Sequence, residues 1–182
     1  MREVFNDDFD SFFLRVKKEL DQEEELISGE DMDFDMGFSI QIPHGFSRME
    51  KEQAAEIFWS KNRPPVLFTT PGRNEGITFQ ILAEKGDMEP KEYGKKAGQM
   101  LEQADSRTVF YGSGKEGETY WMEYKSFAAR ERVYNILFLF RAGEKMIMGT
   151  FYCLFQNYDI WKPSILHMLH TIKTEGTIDE RI

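Results

Sequence analysis

Apolar and polar residues alternate along one short stretch near residue 40. Phe38, Ile40 and Ile42 are separated by Ser39 and Gln41, a two-residue period that is typical of a strand with one buried face. The pattern predicts a strand over Phe34–Ile42 that ends at Pro43–Gly45, where proline and glycine favour a turn.

A short helix is predicted next. Ser47 and Glu50 have the spacing of a capping box, and the residues that follow predict a helix over Lys51–Trp59. Asn62–Pro65 ends that helix, because proline removes a backbone donor and clashes with the preceding turn.

A hairpin and a longer helix follow. Val66–Thr70 and Gly76–Leu82 read as two strands joined by Pro71–Glu75, which is rich in turn residues. From Pro90 to Ala104 the apolar residues recur with a helical period, and proline at the start suits the first turn of a helix.

The next part of the chain predicts a run of strands with short connections. Glycine-rich or charged turns are expected at Gly112–Gly117, Ala128–Arg130 and Ala142–Glu144. Links this short require antiparallel pairing, because parallel strands need a long crossover. The predicted strands are Thr108–Tyr111, Glu118–Phe127, Arg132–Phe140 and Lys145–Phe155.

Several of these strands are apolar on both faces, notably at Ile136–Phe140 and Phe151–Phe155. Such a sheet has to be covered on both sides. A last helix with Pro163 in its first turn supplies one cover, and its apolar face consists of Trp161, Ile165, Met168, Leu169 and Ile172. From about Lys173 the chain reads as a frayed tail.

The predicted fold class is therefore α+β: an antiparallel sheet covered by helices on both faces, or an α/β/α sandwich, with an extra N-terminal amphipathic helix. The domain prediction is an acidic N-terminal helix and linker over 1–33, the sandwich over 34–173 and a C-terminal tail over 174–182. Of the 182 residues, 41% are hydrophobic, which is sufficient for an independent core.

The N-terminal segment carries the net charge of −9, since residues 1–35 hold 13 acidic and four basic residues and the remainder is balanced. Its apolar residues follow a helical spacing. Three interpretations of this segment are open: a helix that packs on its own domain, a helix that docks a partner protein, or a disordered segment. The apolar stripe consists of Phe5, Phe9, Phe12, Phe13, Val16 and Leu20.

Charge and cysteine content exclude several classes of function. The chain has no cluster of Lys and Arg that would bind nucleic acid, and its acidic segment is repelled by anionic membranes. No apolar run is long enough to insert into a bilayer. The single Cys153 and the absence of a signal-like N-terminus favour the cytoplasm.

No catalytic, cofactor-binding or metal-binding residue is predicted. Gly112–Gly117 matches a nucleotide-binding glycine pattern, but a strand rather than a helix follows it. Asp31–Asp35 begins like a calcium loop and lacks the later glycine and glutamate. His167 and His170 have no evident third ligand, and Cys153 lies in an apolar strand where a thiol is inert.

Aromatic residues are the remaining signal, at 14% of the chain. Most belong to the core, and a minority in loops or at edges are candidates for an exposed groove. Together with the N-terminal stripe, they give the candidate partner-binding set: Phe5, Phe9, Phe12, Phe58, Trp59, Tyr158 and Trp161.

The order of elements resembles the Mog1/PsbP-like fold and, within it, the bacterial DcrB-like domains. The likeness is carried by Phe38–Phe46, by Asn62–Thr70 and by the closing helix over Ile165–Ile172, and covers about 34–173. It implies an α/β/α sandwich without a catalytic centre. Members bind other proteins: a small GTPase, photosystem subunits, or hydrophobic effector segments. This chain departs in lacking the signal or lipoprotein cysteine of exported relatives, and no binding residue is carried over.

Three hypotheses for function follow. The favoured one is a non-catalytic, cytoplasmic, protein-binding adaptor or chaperone-like module that uses the aromatic groove, the acidic helix or both. The second is a small-molecule-binding protein or enzyme whose site is assembled from scattered residues. The third is a structural homodimer subunit with the N-terminal helix packed across the interface.

Overall fold

A computed structural model describes residues 31–50, 52–53 and 64–174, with residues 31–33 described by their backbone. Two sheets and two long helices make up this part of the chain. The strands are β1 (Asp31–Asp33), β2 (Phe38–Gln41), β3 (Ser47–Arg48), β4 (Val66–Thr69), β5 (Gly76–Ala83), β6 (Val109–Glu116), β7 (Thr119–Ala128), β8 (Glu131–Ala142), β9 (Lys145–Leu154) and β10 (Lys173–Thr174). The helices are α1 (Pro90–Ala104) and α2 (Tyr158–His170), and a 3₁₀ turn over Phe155–Asn157 leads into α2.

The larger sheet has seven antiparallel strands in the order β3-β4-β5-β9-β8-β7-β6. Strands β6 to β9 form successive hairpins with tight turns. Gly117 and Gly143 take positive φ angles in two of these turns, which glycine adopts without a steric penalty. The long-range pairing of β5 with β9 joins the first hairpin to this meander.

One face of the large sheet is covered by α2 and by a small sheet of β1, β2 and β10. Phe38 and Ile40 of β2 point into this layer, as the alternation predicted, and Phe38 packs edge-on against Phe140 at 4.9 Å between ring centroids. Ile165 and Leu169 of α2 complete the main core.

The opposite face is covered by α1, whose bounds are those predicted. Its apolar residues pack on a second buried cluster of β7, β8 and β9. The predicted helices on both faces of an antiparallel sheet are therefore confirmed. The buried residues of this cluster are Met122, Tyr124, Leu137, Leu139 and Met146. No helix among the described residues combines the length and the apolar character needed to cross a bilayer.

One predicted turn and one predicted helix cap lie in strands instead. Gly112–Gly117 is not a long turn, because β6 continues to Glu116 and only the tip of the hairpin bends. Gly114 stays in the strand because the ring of Trp121 on β7 packs over it, where a Cβ would lie 2.7 Å from Cζ2. Ser47 is not a helix cap, since its backbone pairs with Thr69 of β4.

Element ends also differ from the prediction. The strand predicted from Phe34 begins at Phe38, because Asp35 and Gly37 take positive φ angles and turn the chain. Lys173, predicted to begin the tail, pairs with β2 instead. The last helix begins at Tyr158, so Pro163 lies inside it rather than in its first turn.

Two further predictions lie largely outside the described residues. The N-terminal amphipathic helix falls within residues 1–30. Of the helix predicted over Lys51–Trp59, only residues 52–53 are described, and these are helical.

Candidate functional site

A pocket of about 250 Å³ opens beside α2 on the face of the sheet that this helix covers. We call it the aromatic pocket. It lies where the ends of β6, β7 and β8 meet the 3₁₀ turn and the first turns of α2. Its lining residues are Tyr111, Glu123, Tyr134, Phe155, Tyr158 and Lys162.

Glu123 is the buried charge of the pocket. It lies on β7 two residues after Trp121, so both side chains point to the α2 face of the sheet. The Tyr134 hydroxyl donates to Glu123 Oε2 at 2.5 Å, and Lys162 Nζ donates to Oε1 at 3.0 Å. The carboxylate therefore has a cation and a neutral donor, which offset the cost of burying it.

Tyr134 serves as a hydrogen-bond donor. Its side chain is buried. Burial, followed by the hydrogen bond to Glu123, raises the pKa of Tyr134 well above its usual range. The phenol therefore stays protonated at neutral pH and holds the carboxylate in place.

Lys162 has two roles in this arrangement. Its ammonium group pairs with Glu123 and lies 5.5 Å from the centroid of the Trp121 ring, a cation–π distance. Lys162 follows Tyr158 by four residues on α2, so both side chains project from one face of the helix toward the sheet.

Aromatic rings form the pocket walls. Phe155 lies 5.4 Å from Tyr158 and 5.9 Å from Tyr111 between ring centroids, and Tyr158 lies 5.3 Å from Tyr134. Two of these rings are open to solvent, since Tyr111 is 49% exposed and Tyr158 is 39% exposed. The pocket thus presents unfilled aromatic surface at its mouth.

Two cations lie beside Phe155, one of the rings that line the pocket. Lys125 Nζ and the Arg132 guanidinium lie 5.9 and 5.5 Å from the centroid of the Phe155 ring. We call these two residues the cationic rim. Glu123 is the one carboxylate among the described residues that line the pocket, and it is compensated by Lys162. The cationic rim therefore adds two positive charges beside the Phe155 wall.

The polar groups of the pocket satisfy one another. Glu123 is bonded to two donors, and the tyrosine that reaches it is held protonated. The nearby Cys153 is buried, and burial raises its pKa to about 12, so its thiol is not an available nucleophile. The groups left free to contact a ligand are the aromatic walls and the rim.

Histidines lie elsewhere. His170, at the end of α2, contacts the carboxylate of Glu116 on β6 through Nε2, and His167 lies 6.4 Å from His170 between ring centroids. Across residues 31–50, 52–53 and 64–174, no three acidic, histidine or cysteine side chains gather as metal ligands do.

A larger cleft of about 760 Å³ lies at the start of α1. Charges of both signs line it, including Lys91, Glu118 and Arg141. Arg141 is committed to structure, since it donates to the carbonyls of Gly86 and Met88 and so fixes the loop before α1. Among the described residues that line this cleft, none has a buried side-chain polar atom without a hydrogen bond. We therefore regard the aromatic pocket as the stronger candidate.

The predicted partner-binding residues are distributed as follows. Tyr158 lines the aromatic pocket. Trp161 packs against the rings of Phe46 and Phe151, at 5.3 and 6.2 Å, and borders the main core. Phe5, Phe9, Phe12, Phe58 and Trp59 lie outside the described residues, and their binding role stays a prediction.

Sequence reasoning missed Glu123, Tyr134 and Lys162. A signal was present: Glu123 is the one charged residue in the apolar run from Tyr120 to Tyr124. The alternation places it on the face of Trp121, where a carboxylate requires a partner. The sequence offers no means of identifying Lys162 as that partner.

Comparison with solved structures finds proteins that share the fold of this chain at low sequence identity. The chain is similar to PsbP (CyanoP) from Synechocystis sp. PCC 6803, with a TM-score of 0.55 and 13% identity over 78% of this chain and 89% of that one. It is also similar to the Saccharomyces cerevisiae Ran-binding protein Mog1p, with a TM-score of 0.58 and 10% identity over 81% and 96%.

Comparison of the sequence finds no matching family model and no matching curated protein. The likeness to the solved structures therefore concerns the fold. Membership of the DcrB-like group stays a prediction. The protein has the Mog1/PsbP-like fold.

Proposed function

We propose that the protein is a non-catalytic protein-binding module that holds an apolar or aromatic side chain of its partner in the aromatic pocket. The observation that carries the proposal is the pocket itself, in which exposed Tyr111 and Tyr158 stand over a carboxylate whose hydrogen bonds are already made. Aromatic side chains around a concave site are typical of the residues that dominate binding energy in interfaces.

The character of the polar groups supports a binding role. Tyr134 and Lys162 are both engaged with Glu123, and a partner that covers the pocket leaves this charge compensated. A partner side chain gains contact with the rings of Phe155 and Tyr158 without breaking a buried ion pair. The fold-level likeness to Mog1p, a Ran-binding protein, is consistent with a protein partner.

We further propose that the protein acts in the cytoplasm of a bacterial cell. Its single cysteine favours the cytoplasm, and the resemblance to the bacterial DcrB-like domains favours a bacterial source. Cell fractionation with antibodies against the native chain tests this. Recovery of the protein in the cytosolic fraction is expected, and recovery in an exported fraction would contradict it.

Affinity purification tests the binding role. The full chain is used as bait beside two variants of α2, Tyr158→Ala and Ile160→Ala. Both side chains are 39% exposed on the same helix, but only Tyr158 lines the pocket. We expect a partner that binds the native chain and Ile160→Ala and is lost with Tyr158→Ala.

The effect is then measured with the purified partner by calorimetry. Truncation of a central interface tyrosine costs about 2 kcal/mol, so Tyr158→Ala should weaken binding by about 30-fold. Equal weakening by Ile160→Ala, or no weakening by Tyr158→Ala, would contradict the proposal.

One arrangement favours the alternative of an enzyme. Glu123, Tyr134 and Lys162 lie within hydrogen-bond reach in one pocket, as acid–base groups of active sites do. The two functions differ in their response to Glu123→Gln, which keeps the shape of the side chain. If the protein is a binding module, the Glu123→Gln variant should still bind its partner through the aromatic walls of the pocket. If the protein is an acid–base enzyme, the same variant should lose turnover.

A further inference from the structure

We propose that the aromatic pocket is occupied in the resting protein by the chain's own acidic N-terminal segment, residues 5–13, and that a partner has to displace it. The inference rests on the proposed function, because the segment and the partner would use the same aromatic walls. It identifies both the occupant of the pocket and a means of regulating it.

The composition of the segment matches the pocket. Residues 5–13 contain four phenylalanines and three aspartates and no lysine or arginine. The pocket offers exposed rings at Tyr111 and Tyr158, and Lys125 and Arg132 stand at its rim. Phenylalanine rings of the segment can pack against the aromatic walls, and its aspartates can pair with the cationic rim. The pocket therefore complements both the apolar and the acidic residues of the segment.

The rest of the chain has balanced charge, so the acidic segment is not attracted to the whole domain. Residues 1–30 hold ten acidic and four basic residues, whereas residues 36–182 are balanced in charge. An acidic segment is therefore drawn to particular cationic sites and not to the domain as a whole. Because Arg132 is exposed and Lys125 is only half-buried, the attraction should weaken with salt.

The pocket is within reach of the segment. Phe12 precedes Asp31, the first residue of β1, by 19 residues, which span roughly 60 Å when extended. A compact domain of about 140 residues has a radius of gyration of roughly 14 Å. A tether of this length gives an effective concentration of about a millimolar, so weak intrinsic affinity is sufficient for occupancy.

Disulfide trapping in the full chain tests the inference. One variant combines Phe9→Cys with Tyr158→Cys, and the control combines Phe9→Cys with Met100→Cys. Met100 is 70% exposed on α1, which covers the opposite face of the sheet. Native Cys153 does not compete, because it is buried.

We expect the pair with Tyr158→Cys to form an intrachain disulfide about tenfold faster than the control, and 0.5 M salt to slow it. Equal rates in the two variants would overturn the inference, and so would an interchain product, which indicates a second copy. If Tyr158→Cys does not fold, as judged by circular dichroism, Tyr111→Cys on the other wall replaces it with the same expectation.

The inference and the proposed function can fail separately. If trapping is unselective while Tyr158→Ala still loses a partner, the self-occupied pocket is wrong and the binding role stands. If trapping is selective while Tyr158→Ala keeps every partner, the binding role is wrong. If both hold, Phe9→Ala in the full chain should bind the partner more tightly than the native chain.

Discussion

Two glycines of α1, one turn apart, should differ in how they respond to the same substitution by alanine. Gly94 is buried against the ring of Tyr120 on β7, where an added Cβ would lie 2.8 Å from Cδ1 and nearer still to Cε1. At Gly98 the nearest atom to an added Cβ is Cζ of Phe110 at 3.7 Å, an ordinary contact. The packing of α1 on the sheet can therefore be tested with two single variants, Gly94→Ala and Gly98→Ala.

The magnitudes follow from the two environments. Alanine in place of glycine inside a helix stabilises it by about 1 kcal/mol, and this gain applies at both positions. At Gly94 it is opposed by overpacking of about 1–3 kcal/mol, since Tyr120 or the helix has to move. We expect Gly98→Ala to stabilise by about 1 kcal/mol and Gly94→Ala to be less stable than Gly98→Ala by about 1–3 kcal/mol.

Urea unfolding at 25 °C, followed by circular dichroism, measures both variants. The slope of the free energy against urea should stay that of the native chain, so that midpoints can be compared directly. Equal stabilisation by both alanines would mean that Tyr120 does not pack against Gly94, and would refute the packing described for this helix.

Other predictions concern the pocket, the sheet and the thiol. Lys162→Met should lower the free energy of unfolding at pH 7 by about 1–3 kcal/mol, because Glu123 stays buried without its cation, and the loss should shrink when Glu123→Gln is also present. A melting curve of Gly149→Ala should show a loss of about 1–3 kcal/mol, because a Cβ there overlaps the fully buried Phe138 ring; an unchanged midpoint would contradict the cross-strand contact. Cys153 has a raised pKa of about 12, so its contribution to stability is complete below about pH 9 and lost as the pH rises toward 12. Chemical unfolding across that range should show the decline flattened in Cys153→Ala, and an unchanged decline would contradict it.

The fold was predictable because it depends on periodicity. Helix α1 was predicted with its observed bounds, since proline begins it and its apolar spacing is regular. The apolar run Ile136–Phe140 required cover on both faces, and the two helices supply it. These features depend on the spacing of apolar residues and prolines along the chain, which can be read directly from the sequence.

Other features depend on contacts between distant residues. Gly114 reads as part of a turn until the Trp121 ring is seen to lie against it. The sequence predicts Lys173 to begin a tail, whereas in the structure Lys173 pairs with Ser39 of β2. The site depends on such contacts even more, because Lys162 and Glu123 lie 39 residues apart and no local pattern connects them.

Photo-crosslinking tests the central claim, recognition of a partner protein by the aromatic pocket, most directly. A photoreactive phenylalanine analogue is placed at Tyr158 in one variant and at Ile160 in another, and both are irradiated in the source cells. The account predicts a defined protein adduct from position 158 and none from position 160. The same adducts from both positions, or adducts from position 160 alone, would contradict it.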